Sequence, residues 1–449
     1  MKPLLLLINP WIYDFAAYDL WSKPLGLLHL AAFLRNCGFQ IHLIDCLDPH
    51  HPLMTHDPSA RTPKRRLYGT GKYWRKEIPK PSQLKHVARP YSVYGISHRV
   101  FEKELDTIQE PAAILVTSLM TYWYPGAIEA VSLAKKRHPG VPVILGGIYA
   151  RLCNEHATRN SGADTVATLM EPPSLLRVLK DHGVHAPKPL PDSEPACYPA
   201  FDLLRKIEYV CLLTSTGCPF RCPYCASHFL NPEMRQRDPA EVLDEILYWH
   251  RGFGVKDFAF YDDALLFSSD THLAILLEEI IRLDLDLRFH TPNALHVREV
   301  TAEMATLMRR SGFRTIRLGL ETSDISIQRK LGNKVAEGDF ERAVSHLLRA
   351  GFSGNEIGAY VLIGLPGQSA ESVTATIDLV DGAGAIPFLS EYSPLPHTPL
   401  WERAERSSRY DLSEPLFHNN TLLSCWSEAE MAELPRLKKR VLEIREKHR

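Results

Sequence analysis

At 449 residues the chain exceeds the size at which one hydrophobic core stays single, so two or three domains are expected. Hydrophobic residues make up 45 % and charged residues 23 %, as in an ordinary globular protein. Lys and Arg number 52 against 53 Asp and Glu, and this net charge of −1 argues for neither nucleic acid nor an anionic membrane as the partner.

The first apolar run, Leu4 to Ile8, is short, breaks at Asn9-Pro10 and is followed by no small-residue cleavage site. It reads as a buried strand rather than a signal peptide. No stretch approaches the roughly 18 uninterrupted apolar residues of a membrane span. From the first strand to about residue 190, short apolar runs alternate with longer amphipathic stretches, the pattern of parallel βα units. Strands are expected at Pro3 to Asn9, Phe39 to Asp45, Ala112 to Ser118, Val141 to Ile148 and Asp164 to Met170, with helices at Leu25 to Asn36, Gly126 to Arg137 and Ser174 to Asp181. The expectation is a Rossmann-like, doubly wound α/β domain over residues 1–185. Such sheets bind ligands at the carboxyl ends of their strands, here Asn9-Pro10-Trp11, Asp45, Ser118 with Thr121, and Gly146-Gly147. Residues 47–100 break the rhythm with Pro, His and a basic, aromatic run from Arg61 to Lys76. A stretch of this length is expected to be an insertion over the ligand face rather than an RNA surface.

Residues 186–197 are Pro-rich and aperiodic, an extended linker. The βα alternation then resumes over 198–400. Strands are expected at Tyr209 to Ser215, Asp257 to Tyr261, Leu287 to His290, Thr315 to Leu320, Ile357 to Ile363 and Ala385 to Glu391. Helices are expected at Pro239 to His250, Thr271 to Leu283, Ala302 to Ser311, Phe340 to Ala350 and Glu371 to Asp381. A helical extension, 401–449, carries Trp401, Trp426 and an amphipathic stretch interrupted by Pro435, and reads as a cap on the floor or open edge of the second domain.

Directly after the Tyr209 strand stand Cys218, Cys222 and Cys225, a C-x3-C-x2-C pattern on a loop. Three such thiols can take three corners of a [4Fe-4S] cube and leave the fourth iron open. A zinc site would want a fourth Cys or His at short spacing. The other six of the nine cysteines, Cys37, Cys46, Cys153, Cys197, Cys211 and Cys425, are scattered, a reduced, cytoplasmic pattern rather than a disulfide framework.

This motif, with the aromatic Tyr224 before its last cysteine, resembles that of the radical S-adenosylmethionine (SAM) superfamily. The later strand ends are similar in order. The second carries Asp262 and Asp263, the resemblance implying that one of them meets the SAM ammonium. The third carries His290 and Asn293, facing either the substrate or SAM, with a structural barrel-end hydrogen bond as the alternative for His290. The fourth carries Arg317, Glu321 and Ser323 for the ribose, with Lys334 downstream, and the fifth Gly364 and Gly367 for the adenine; the sixth reads Glu391 to Thr398. Six strands match the partial (β/α)6 TIM-type barrel of that family. The Ser/Thr-rich and Gly-Gly strand ends of the first domain are similar to a cobalamin-binding domain, which implies that Ser118, Thr121, Gly146 and Gly147 approach cobalamin. The D-x-H-x-x-G signature of a lower axial histidine is absent.

The resemblance implies reductive cleavage of SAM to a 5′-deoxyadenosyl radical and cobalamin-dependent methylation of an unactivated carbon. The expected cofactors are a [4Fe-4S] cluster, SAM and cobalamin, and the expected partners a small-molecule substrate and an electron donor such as flavodoxin or ferredoxin. A cobalamin-independent radical SAM enzyme and a tRNA methylthiotransferase are the enzymatic alternatives, the latter requiring three N-terminal cysteines that Cys37, Cys46 and Cys153 do not match. A non-catalytic Fe-S or zinc module is the alternative of another class, and it would not need acids and glycines at successive strand ends.

Overall fold

A computed structural model describes residues 2–57, 62–168, 172–189 and 197–448. The chain divides into two compact units, Met1–Glu208 and Tyr209–Arg449.

In the first unit five parallel strands, β1 (Leu4–Asn9), β2 (Gln40–Asp45), β3 (Ala113–Val116), β4 (Val143–Leu145) and β5 (Thr165–Val166), stand in the order 5-4-3-1-2. β1 is apolar throughout because both its faces are covered. Leu6 and Ile8 pack with Phe101, Ala130 and Val131, whereas Leu5 and Leu7 pack with Leu27, Ala31 and Leu34. Helices on both faces are what a parallel sheet demands. The strand order reverses between β1 and β3, so their carboxyl ends, Asn9 and Thr117-Ser118, mark the position at which such sheets bind ligands.

Three expectations are corrected here. β4 and β5 are shorter than the expected strands; the β4 ladder ends with Gly146 N–H on Val116 O (2.9 Å), after which Gly147 turns away at φ +98°, and Met170 lies outside the described residues. Residues 197–208 do not open the second domain but pack on the first. Ala200 N–H donates to Leu28 O (3.0 Å), Arg35 pairs with Asp202 (2.7 Å) and Arg65 with Glu208 (2.7 Å). Of the expected linker, residues 190–196 lie outside the described ones.

The insertion, thirdly, is built of strands. Tyr91–Tyr94 pairs antiparallel with both Ile12–Asp14 and Arg75–Ile78. Ile12–Asp14 follows β1 after only Pro10 and Trp11, which places this small sheet at the carboxyl end of the parallel one. Two cations of the basic run are engaged, Arg65 with Asp19 and Glu208, and Arg75 by donating to Ser92 Oγ (2.9 Å), whereas Lys64, Arg66, Lys72 and Lys76 are exposed.

In the second unit β6 (Val210–Leu212), β7 (Asp257–Phe260), β8 (Arg288–His290), β9 (Phe313–Glu321), β10 (Ile357–Ile363) and β11 (Ile386–Glu391) pair in parallel and in sequence order, an arc with β6 and β11 at its edges. Leu295–His296 adds two residues beside β9. Helices between the strands are delimited by their own ends. Asp238 accepts from Ala240 N–H (2.8 Å) at the start of helix 239–253, and Gly254 closes it in the left-handed region. The expected first strand splits at Leu213-Thr214, and Ser215–Thr216 turns off to pair antiparallel with Arg235–Gln236. The last helix, Glu428–Lys447, packs on β11 and runs unbroken through Pro435. A Ser427–Glu430 capping box starts it, and buried Leu437, Val441 and Ile444 hold the half beyond the proline. Among the described residues no helix is long and apolar enough to cross a membrane.

Candidate active site in the second unit

The cysteine loop leaves the Ser215–Thr216 pair through Gly217, at φ +76°, where a Cβ would stand 2.2 Å from Glu233 O. Only glycine fits that turn. Cys218, Cys222 and Cys225 follow, partly buried and free of disulfides. Burial pushes the Cys218 thiol up to about 11, with Asp263 and the other two thiols adding to the rise against an opposing backbone N–H from Phe220. Cys222 is raised by burial as well, while Lys334 pulls it down. Clustered thiols that resist ionisation alone are what a metal cluster's charge would bring to thiolate. Among the described residues no three Cys, His, Asp or Glu side chains converge closely enough for a single metal ion. The C-x3-C-x2-C loop supplies three thiols of the kind that ligate an iron-sulfur cube.

The two acids after β7 have different surroundings. Asp262 is fully enclosed and accepts from Thr214 N–H (3.0 Å) and Oγ1 (2.8 Å) and from Ser215 N–H and Oγ (both 2.6 Å). It thereby pins the point where the first strand splits. Asp263 is instead hydrogen-bonded to Ser227 and acts electrostatically on Cys218, so its carboxylate lies beside the cysteine loop. Burial raises its pKa, and the adjacent Asp262 adds to the rise. A cation placed there would relieve both effects.

Glu321, at the end of β9, has φ +67°, a rare conformation for a residue with a side chain, and its Oε1 lies 3.3 Å from Lys334 Nζ. Gly319 makes room for this pair, since a Cβ there would stand 2.9 Å from Lys334 Nζ and 3.1 Å from Glu321 Oε1. Burial would lower the Lys334 pKa, but Glu321 and the Cys222 thiol outweigh it and hold the ammonium charged. Tyr224 hydrogen-bonds Cys222 and packs with Leu362 and Leu365 at the end of β10, an apolar bed next to the cysteine loop. His296, which no local pattern singles out, stacks on Phe220 of that loop with ring centroids 3.8 Å apart. Burial and then Lys334 push its pKa down to about 3, so the ring is neutral.

Other expected site residues are committed elsewhere. Arg317 does not join Glu321; its guanidinium lies over the Phe388 ring, 4.2 Å from the centroid, and donates to Ile316 O (2.8 Å). Ser323 is tied through its N–H and hydroxyl to Thr376 Oγ1 (2.9 and 3.0 Å). Gly364 is left-handed, and a Cβ there would meet Leu423 at 2.6 Å; at Gly367 it would meet Arg403 at 2.8 Å. Both glycines admit the C-terminal extension as well as shaping the turn. His290 takes the structural role, with Nε2 3.1 Å from Asp257 Oδ1 and Nδ1 3.0 Å from Thr315 Oγ1, and Asn293 donates to Tyr261 O (2.7 Å).

In the first unit, Ser118 donates its hydroxyl proton to Gly146 O (2.6 Å), tying the third and fourth strand ends together. Gly147 sits so close to the Ser118 backbone that a Cβ would stand 2.1 Å from its carbonyl oxygen. Thr121 is buried in the turn before helix Tyr124–Arg137. Thr117, Gly146 and Gly147, with Leu27, Leu30, Ala167 and Leu175, line a small apolar cleft of ≈ 30 Å³, which Ser118 and Thr121 do not join.

With this geometry in place, residues 212–380 match the model of the radical SAM superfamily. That region is a radical SAM domain. Such a domain implies a [4Fe-4S] cluster and SAM. The chain is 24 % identical over 330 residues to an uncharacterized methyltransferase of Pyrococcus horikoshii, covering 66 % of this chain and 70 % of that one. It is 26 % identical over 241 residues to cytidylyl-2-hydroxyethylphosphonate methyltransferase of Streptomyces wedmorensis, covering 50 % of this chain but only 43 % of that one. Among solved structures it resembles the radical SAM methyltransferase TsrM of Kitasatospora setae, determined with cobalamin and a [4Fe-4S] cluster bound. The TM-score is 0.64 at 18 % identity, over 91 % of this chain and 75 % of that one. At this identity the likeness is one of fold.

Proposed function

We propose that the protein is a cobalamin-dependent radical SAM methyltransferase acting on a small molecule. The observation that carries the reading is the cysteine loop after β6, with Asp263 beside one thiol and the Glu321–Lys334 pair beside another. When bound, the cluster and SAM supply a 5′-deoxyadenosyl radical, and cobalamin supplies the methyl group. Cys218, Cys222 and Cys225 would hold the cluster and leave one iron without a protein ligand. Asp263 accepts from the SAM ammonium, a charge-assisted bond worth more than a neutral one. Glu321, held by Lys334, takes a ribose hydroxyl, and Tyr224 with Leu362 and Leu365 gives the adenine an apolar bed. These residues exclude water and fix orientation.

Cobalamin is assigned to the first unit on its doubly wound fold, on the apolar cleft at its strand ends, and on the resemblance to a methyltransferase solved with cobalamin. Asp45, at the end of β2, is bonded to Asn9 (2.7 Å) and supplies no histidine, which supports binding without a lower axial imidazole.

Anaerobic reconstitution tests both parts. About four iron and four sulfide per chain are expected, with 5′-deoxyadenosine released from SAM under dithionite. Alanine at Cys218, Cys222 or Cys225 should abolish both. A protein that takes up zinc alone defeats the radical reading; one that assembles the cluster but does not bind hydroxocobalamin defeats only the cobalamin part.

A further inference from the structure

Arg317 is a cation in the barrel wall without an acid. Arg237, Arg288 and Lys334 of the same unit are paired with Glu245, Asp257 and Glu321. Arg317 has the Ile316 carbonyl, the Tyr360 hydroxyl and the face of Phe388, and among the described residues no carboxylate within ion-pair distance. A half-buried guanidinium without a counterion is costly, and burial, with the nearby Arg445, lowers its pKa.

Its position is as informative as its isolation. Alternation along β9 gives Arg317 the same face as Gly319, over which the Glu321–Lys334 pair lies. The strand register sets Tyr360 beside Gly319 and Phe388 beside Tyr360. Arg317, Tyr360 and Phe388 are all only partly buried, whereas Ile316, Leu318 and Val361, on the opposite face, are sealed. This face of the wall, below the proposed SAM site, therefore keeps partly exposed side chains and is positive, with the Arg317 and Arg445 guanidinium groups both over the Phe388 ring (4.2 and 4.3 Å from its centroid).

We propose that Arg317 binds an oxyanion group of the substrate, a carboxylate or a phosphate. A guanidinium has five N–H donors in a planar fork that matches either group; one is taken here by the Ile316 carbonyl and one by the oxygen of Tyr360, whose own proton goes to Pro292 O (2.7 Å). Phe388 holds the fork flat, so little side-chain freedom is lost on binding. The proposal rests on the radical SAM reading only in calling the bound anion the substrate.

The test uses the full-length protein without cluster or SAM, by calorimetric titration and thermal unfolding in sodium acetate, inorganic phosphate or chloride at constant ionic strength. Acetate or phosphate should raise the wild-type midpoint by a few degrees over chloride, and affinity should fall at least tenfold in Arg317→Met. Arg317→Lys, which keeps the charge, should retain part of the effect. Arg317→Met should melt no lower than wild type in chloride, since it removes an unpaired charge at similar volume. An acetate response alone assigns a carboxylate, and a phosphate response alone a phosphate. Equal shifts in wild type and Arg317→Met, no shift in either, or an Arg317→Met protein melting well below wild type would each overturn the proposal, the last by showing the guanidinium to be a packing element. Absence of 5′-deoxyadenosine formation in the reconstituted enzyme would instead remove the radical reading and leave the titration standing.

Discussion

Asp262 and Asp263 are adjacent in the chain, yet one carboxylate is consumed by Thr214 and Ser215 while the other lies beside Cys218. Asp262→Asn replaces an oxygen that accepts from two backbone N–H groups and two hydroxyls. It should cost on the order of 3 kcal/mol of stability in the second unit. Asp263→Asn should leave the unfolding midpoint within about 1 °C of wild type and weaken SAM binding at least tenfold, having lost its charge-assisted partner. Thermal unfolding and SAM titration of the reconstituted protein separate the two; equal loss of SAM affinity in both variants would deny Asp263 its special place.

Glu321→Gln keeps the size of the side chain and removes the partner that lies 3.3 Å from Lys334. SAM cleavage should fall by at least tenfold with iron and sulfide content unchanged, because the variant leaves all three thiols in place. The Lys334 ammonium would then face only thiol sulfur, so Glu321→Gln combined with Lys334→Met should be more stable than Glu321→Gln alone. Unfolding midpoints of the single and double variants give the sign.

The cysteine loop is legible in the sequence because three thiols within eight residues carry their own geometry. What the same sequence conceals is set by partners far away in the chain. Whether Asp262 or Asp263 is free depends on Thr214 and Ser215, 48 and 47 residues earlier. Ser118 has the composition of a ligand-binding strand end, but its hydroxyl is taken by Gly146, 28 residues on. Arg317 sits in a ribose-like segment, and alternation along β9 sends it to Phe388 on β11. The strands of the insertion stay hidden because each is short and finds its partner across residues with no period of their own, as Tyr91–Tyr94 does with Ile12–Asp14.

Glu208 gives the first unit an acid-sensitive tie. Burial alone would raise its carboxyl, but His50 (2.9 Å) and Arg65 (2.7 Å) outweigh burial and hold it at about 2, against 4.5 for a free side chain. A carboxyl depressed in the folded state contributes stability that is fully present above pH 4.5 and is lost as pH falls toward 2. The difference of 4.5 − 2 = 2.5 units sets a ceiling of about 3 kcal/mol. Glu208→Gln should lower the urea midpoint of the first unit at pH 6, with the gap to wild type narrowing as pH falls below 4.5 and closing only near pH 2. Parallel curves across that range would show that His50 and Arg65 do not act through the carboxylate.

Gly147→Ala tests whether the Gly-Gly strand end is demanded by the fold itself. The backbone at Gly147 is left-handed at φ +98°, and an added Cβ would stand 2.1 Å from Ser118 O and 2.5 Å from Ser118 N, atoms of backbone that cannot swing aside. Gly140, at φ +85°, has a similar conformation but nothing within 4 Å of its added Cβ. Gly140→Ala therefore measures the conformational cost alone, about 1 kcal/mol. Gly147→Ala should exceed it by at least ~2 kcal/mol, read as the unfolding of the first unit in denaturant, and it should do so without hydroxocobalamin present. If the two alanine variants are equally stable and differ only in hydroxocobalamin binding, Gly147 is reserved for the approach of the ligand and not for Ser118.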